Sequence, residues 1–220
     1  MRVALLSDMH GNAVAFRAAL ADLEGHSPDL IVALGDVAQG GPQPRECVDL
    51  LRDLGCPCVF GNSDEFLLTL DLGAEQAEDV ERLMDTAQWS REQLGEDGLE
   101  LLRGFAPTVQ VGRVLCCHAT PTSNEDVVLP ETPPEQVGAL EADAVAAGHV
   151  HQQWLRRFDR TLWFCVGAVG VGRWCEYALV DDGTLAVEFR RIPFDVDELI
   201  ATARAKDFPY FDRWVESWKA

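Results

Sequence analysis

Short apolar runs, each closed by glycine, aspartate, asparagine or histidine, recur along the chain. Residues 2–7 are the first. Continuous rather than alternating hydrophobicity of this kind marks a strand covered on both faces. Helical spacing follows: Ala13, Phe16, Leu20 and Leu23 share one face, with Asn12 placed as N-cap. Residues 30–34 repeat the strand pattern. Cys47, Val48, Leu51 and Leu54 repeat the helical one after a Gly/Pro loop at 40–44, and residues 57–60 predict a third strand. Three such units predict a parallel sheet with crossover helices.

Residues 65–104 are charged and helix-prone, with Val80, Leu83, Met84, Ala87 and Leu94 at helical spacing, which predicts two or three helices with Trp89 in the core. Strand patterns return at 108–111, 113–117 and 144–147, the last two separated by a polar loop and a short helix predicted over 135–141. Residues 153–158, 161–166, 176–180 and 184–192 predict short antiparallel strands. A final helix, within 195–218, carries Phe211, Trp214, Val215 and Trp218 on one face. That stripe packs back on the body or, alternatively, forms a dimer contact. The expected fold is α/β: one domain over 1–220, with two sheets and a helical cap at 65–104.

Composition narrows the class. With 47% hydrophobic and 25% charged residues the chain reads as a globular protein, and no apolar run approaches the ~20 residues of a membrane span. The N-terminal apolar stretch is too short for a signal peptide, so a cytoplasmic location is expected. Seven cysteines lie within apolar runs and are expected to be reduced. A net charge of −19 argues against bulk capture of nucleic acid, but not against a small phosphorylated substrate at a local cationic centre. With no basic cluster in the chain, a metal would have to supply that charge.

The chemistry lies just past the strands. The first predicted strand is followed by Asp8 and His10, the second by Asp36, and the third by Asn62 and Asp64. Later strands are followed by His118 and by Gly148-His149-Val150-His151, so four of the five histidines stand at such positions. Ligands of open α/β sheets gather at carboxyl strand ends. Without Asp64 the residues at these ends make seven O- and N-donors, none a thiolate, enough for two ions of the Mn²⁺, Fe, Zn²⁺, Co²⁺ or Ni²⁺ type. Two ions about 3.5–4 Å apart clamp an in-line displacement at phosphorus and generate hydroxide near neutral pH. The remaining histidine, His26, lies in a Gly/Ser/Pro loop and is expected to be idle.

The order D-x-H, G-D, G-N-x-[DE], a lone H and G-H-x-H resembles the calcineurin-like metallophosphoesterases. Ser7-Asp-Met-His-Gly-Asn12, the block 35–44 and His118-Ala-Thr-Pro121 point to their small bacterial and archaeal branch, which includes phosphodiesterases and diadenosine-tetraphosphatase-like proteins. The resemblance implies a four-layer αββα sandwich of two mixed sheets. It places Asp8, His10, Asp36 and His151 on a first metal. Asp36, Asn62, His118 and His149 fall on a second, with Asp36 bridging. It further implies hydrolysis of small or nucleotide-type phosphoesters, most of all phosphodiesters, by attack of a metal-bridging hydroxide, with Mn²⁺ the favoured ion. Asp36, Asn62, Asp64 and His149 are the catalytic candidates, and Asn62 and Arg173 the substrate contacts. Serine/threonine phosphatase or phosphomonoesterase activity is the alternative within this class. A non-catalytic scaffold on the same fold is the alternative outside it.

Two positions depart from the pattern. Ser63 stands where many members carry a histidine that protonates the leaving group. Asp64, which would orient that histidine, is left either to bind a water or to serve structure alone. Residues 165–173 keep the glycines and Arg173 but lack the Asn, Pro and Ser usual there. Arg173 thus either reaches a substrate phosphate or pairs with an acid at the surface.

Overall fold

A computed structural model describes residues 1–71, 79–138 and 140–219. Two mixed sheets face each other. The first has the order β2 (Leu30–Ala33), β1 (Arg2–Leu6), β8 (Cys175–Asp181), β9 (Val187–Ile192), with β1 and β2 parallel and the other neighbours antiparallel. The second runs β3 (Thr108–Val111), β4 (Val114–Cys117), β5 (Ala144–Ala147), β7 (Thr161–Val166), β6 (Gln153–Phe158). Its β4, β5 and β7 are parallel, with antiparallel edges.

The unbroken apolar run of β1 has a physical cause. Val3 and Leu5 pack between the sheets with Cys116, Ala146 and Phe164. Ala4 and Leu6 pack outward on Phe16 and Val48 of the helices. A strand covered on both faces has no position for a polar side chain. The outer face of the second sheet buries Trp154 and Trp163 with Val128 and Val145. Its cover is thin: the segment after β4 and the single turn α5 (Pro134–Val137).

Helices α1 (Ala13–Glu24) and α2 (Pro44–Leu54) are the expected crossovers, and the side chain of Asn12 accepts from Ala15 N–H at 3.0 Å as N-cap. α3 (Asn62–Thr69) and α4 (Val80–Arg103) form most of the helical region. α4 breaks at Gly95, where φ is 64°, and Arg45 donates to the carbonyl of Leu94 at 3.1 Å there. Part of that region, 72–78, and residue 139, within the short helix expected over 135–141, lie outside the described residues.

Three expectations need correction. Residues 57–60 form no ladder, only single bridges from Cys58 to Ala33 and Val59 to Ala106, because Pro57 has no N–H and the chain changes partner within two residues. The four final strands do pair as two antiparallel hairpins, yet β7 also lies parallel to β5, and β8 crosses to the first sheet beside β1. The expected single C-terminal helix is two, α6 (Val196–Ala205) and α7 (Phe211–Lys219), divided at Pro209 and by left-handed residues Asp207 (φ 49°) and Tyr210 (φ 54°).

Val215 and Trp218 of α7 are buried, Trp218 against Val14 and Leu199, so the aromatic stripe folds back onto its own chain. Trp89 is half-buried, edge-on to Phe208 with ring centroids 5.2 Å apart. Among the described residues no helix is long and apolar enough to cross a membrane.

Candidate metal centre

The carboxyl ends of β1 and β2 in one sheet meet those of β4 and β5 in the other. The loops after β1 and β2 are zipped together by backbone bonds: Asp8 N–H to Gly35 O at 3.0 Å, His10 N–H to Asp36 O at 2.9 Å, and Gly11 N–H to Val37 O at 2.9 Å. The loop after β5 is joined to β1 by His149 N–H donating to Asp8 Oδ2 at 3.0 Å. Gly148 is required at this seam, since a Cβ there would overlap the Ser7 side chain.

Five of the donors pay a conformational cost. Asp8, His10, Asp36, His149 and His151 have φ of 58°, 46°, 56°, 66° and 54°. Left-handed backbone at a residue with a side chain costs on the order of 1–3 kcal/mol and gathers at functional sites. Here it turns each side chain inward at a strand end.

The side chains converge. Asp8 Oδ1 lies 3.1 Å from His151 Nε2 and 3.7 Å from His10 Nε2. His10 Nε2 is 3.5 Å from Asp36 Oδ2, and His118 Nε2 is 3.4 Å from Asp36 Oδ1. Donor atoms of Asp8, His10 and His151 lie within 4.8 Å of one another, as do those of Asp8, Asp36 and His118. Asn62, at the first turn of α3, points Oδ1 at His118 Nε2 (3.0 Å) and His149 Nδ1 (3.1 Å).

The tautomers follow from the outer bonds. His10 Nδ1–H donates to Gln39 O at 2.9 Å, and His118 Nδ1–H to Leu34 O at 2.7 Å. His149 Nε2–H donates to Glu125 O at 3.0 Å. In these three neutral rings the opposite nitrogens therefore carry lone pairs, and those face oxygens: His10 Nε2 faces Asp36 Oδ2, and His118 Nε2 and His149 Nδ1 face Asn62 Oδ1, while His151 Nε2 lies 3.1 Å from His10 Nε2. Acceptors aimed at acceptors need a cation between them, a proton or a metal ion. A histidine tied to a carbonyl through its outer nitrogen is the usual support of a metal-binding imidazole. The donor set fits divalent ions.

Electrostatics agree. Burial would raise the Asp8 pKa, but His10 and His151 hold it well below the ordinary carboxylate value. Burial opposes the charged form of His10, yet Asp8 and Asp36 push its pKa up to about 9. His118 is raised for a similar reason, against burial, by Asp36 and Asp8. His149 is lowered by burial and by His118.

Asp64 and Arg173 do not join the cluster. Asp64 is buried, and its carboxylate accepts the N–H groups of Asp36 (2.9 Å), Val37 (3.0 Å) and Gly61 (3.1 Å). It braces the Asp36 turn and caps α3, so of the two roles open to it the structural one fits these contacts. Burial and the Asp36 charge raise its pKa to about 6. Arg173 is exposed and donates to the carbonyl of Trp218 at 3.3 Å, away from the cavity lining. His26 is half-buried beside Asp22 at 3.6 Å rather than idle in solvent.

A cavity of about 850 Å³ opens over the donors His10, Asp36, Asn62, His149 and His151. Other lining residues were not candidates for the site from the sequence: Gln39 and Glu125, which support histidines through their backbone carbonyls, and Tyr210, Arg213 and Trp214 of the C-terminal segment. The aromatic stripe was the one available hint, and it spoke only of packing.

Residues 1–157 match the family model of the calcineurin-like phosphoesterases. The chain is 24% identical over 221 aligned positions to the uncharacterised protein MJ0912 of Methanocaldococcus jannaschii, covering 88% of each. A metallophosphoesterase from Sphaerobacter thermophilus superposes with a TM-score of 0.80 at 24% identity, covering 98% of both chains. The hypothetical protein PH1004 from Pyrococcus horikoshii gives 0.84 at 21% identity, over 95% of this chain and 94% of that one. At these identities the superpositions establish the fold, and the family match establishes the class of chemistry. The chain belongs to the calcineurin-like phosphoesterases and is a metal-dependent phosphoric ester hydrolase.

Proposed function

We propose that the chain binds two divalent cations and hydrolyses small phosphoesters, phosphodiesters in particular. Asp8, His10, Asp36 and His151 would hold one ion, and Asp36, Asn62, His118 and His149 the other, with Asp36 shared. The observation that carries this reading is the set of imidazole lone pairs turned on carboxylate and amide oxygens around Asp36. Bound there, such ions supply Lewis acidity to the phosphoryl oxygens and to the attacking water.

The chain's own groups do the positioning. The Gln39, Leu34 and Glu125 carbonyls fix three imidazoles. Ser63 N–H donates to Asp36 Oδ1 at 2.9 Å and holds that carboxylate between the two halves of the cluster. Residue 63 is a serine, whose hydroxyl does not protonate a leaving group as an imidazole does, so esters with good leaving groups are favoured. A positioned general acid contributes about 10²–10⁴-fold. All seven cysteines are free and five are buried, which suits a reducing cytoplasm.

The test is hydrolysis of bis-p-nitrophenyl phosphate by manganese-loaded protein. Asp36→Ala and His149→Ala are each expected to lower kcat/KM by about 10³-fold or more, in line with the loss of a group that acts as part of a unit. Turnover unchanged by both substitutions would refute the assignment.

A further inference from the structure

At about 850 Å³ the cavity belongs with pockets that enclose whole ligands, about 300–1,000 Å³, rather than a phosphate alone. Beyond the donors it is lined by Phe66 of α3, Arg82 of α4, Phe208 and Tyr210 of the α6–α7 connection, and Arg213 and Trp214 of α7. Charge does not select what lies there. Arg82 approaches Asp79 at 3.6 Å, and Arg213 grips the same carboxylate through both Nη atoms. Glu65, Asp71 and Glu125 line the cavity as well. Two cations, both turned on one aspartate, stand among three further acids.

The rings are better placed. Tyr210 is 40% exposed, and its hydroxyl donates to Asp85 Oδ2 at 2.6 Å. Trp214 is half-buried, and its Nε1–H donates to Gly40 O at 3.1 Å. Each polar tip is thus tied to protein, and what either ring offers the cavity is its apolar surface. The Trp214 bond falls one residue from Gln39, whose carbonyl orients His10. An aromatic surface is therefore anchored to the same loop that sets a phosphate-side donor.

We propose that Tyr210 and Trp214 form a stacking subsite for a planar ring on the organic part of the ester, so that the favoured substrates are nucleoside-sized phosphoesters bearing an aromatic or heteroaromatic ring. This rests on the phosphoesterase reading above. It makes the C-terminal helix a determinant of specificity as well as a piece of core. Stacking of a base on an aromatic side chain changes affinity by about 5–150-fold.

The experiment reads binding without turnover. Manganese-loaded protein is titrated calorimetrically with hydrolysis-resistant phosphonate analogues of adenosine 5′-monophosphate and of ribose 5-phosphate, which differ only in the base. The adenosine analogue should bind about tenfold tighter or better. Tyr210→Ala and Trp214→Ala should each erase most of that preference, and Tyr210→Phe, which keeps the ring, should retain it. Tyr210 is exposed, so its variants remain informative should Trp214→Ala fail to fold. Equal affinity for the two analogues, or a preference untouched in Tyr210→Ala, overturns the subsite. Protein that prefers the ring but hydrolyses no ester contradicts the phosphoesterase reading alone. Protein that hydrolyses esters without ring preference contradicts the subsite alone.

Discussion

His10 carries the clearest consequence at the scale of a single residue. Its pKa in the folded, metal-free chain is raised to about 9, against burial, by Asp8 and Asp36. The folded state therefore holds more protons than the unfolded one between about pH 6.5 and 9. The stabilisation is complete below that window and lost as pH rises through it, and His118 acts in the same direction. Metal-free protein should show a falling Tm from pH 6.5 to 9, and manganese binding should release protons and tighten with pH over the same range. Calorimetry in buffers of different ionisation enthalpy reads the release; no release at pH 7.5 would contradict the protonated state assigned to the cluster. Asp64 gives a second prediction. Asp64→Ala leaves three buried N–H groups unpaired at about 1–3 kcal/mol each. A Tm lower by about 6 °C or more is expected, with Asp64→Asn recovering part of it, and thermal unfolding followed by circular dichroism decides it. The sequence could mark Asp64 as following an apolar run, but its partners are backbone groups of residues 36 and 37, which only the folded loops bring near.

Among elements, the site is a seam between strand ends, and glycine permits the contact. A Cβ at Gly61 would overlap Asp36 Oδ1 and crowd the Asp36 N–H, although Gly61 itself has an ordinary φ of −94°. Gly61→Ala should weaken manganese binding by about tenfold or more, since displaced supports of metal ligands typically cost 10–100-fold. Unchanged affinity by titration would mean that the α3 turn is free to move aside. The strand-end donors were legible because continuous apolar runs and the polar residues closing them are local patterns. Residues 57–60 misled because Pro57 and a switch of partner from Ala33 to Ala106 reduce an apparent strand to two bridges. The end of the chain misled differently. Helical spacing shows which face of α7 is apolar, and it does not show that Trp214 on that face also borders a cavity. Arg173 sits in the loop between β7 and β8, and its partner, the carbonyl of Trp218, lies 45 residues further along the chain, so it had no local signature.

Taken whole, the molecule carries a net charge of −19 around a site for anions. A field of that sign repels a phosphoester at long range, and salt screens it. The kcat/KM for an anionic phosphodiester should therefore rise with ionic strength up to about 0.15 M, where the Debye length falls to about 8 Å. A decline would mean that the field at the cavity mouth is positive. The two-sheet architecture was only partly legible. The pairing of β1 with β8, at the centre of the first sheet, joins residues far apart in the chain and has no local pattern. Asp36 joining two cations is the centre of the proposed chemistry, and anomalous diffraction from crystals soaked in manganese tests it most directly. Two peaks about 3.5–4 Å apart with Asp36 between them are expected, both lost in Asp36→Ala. A single peak, or none near Asp36, would contradict the account.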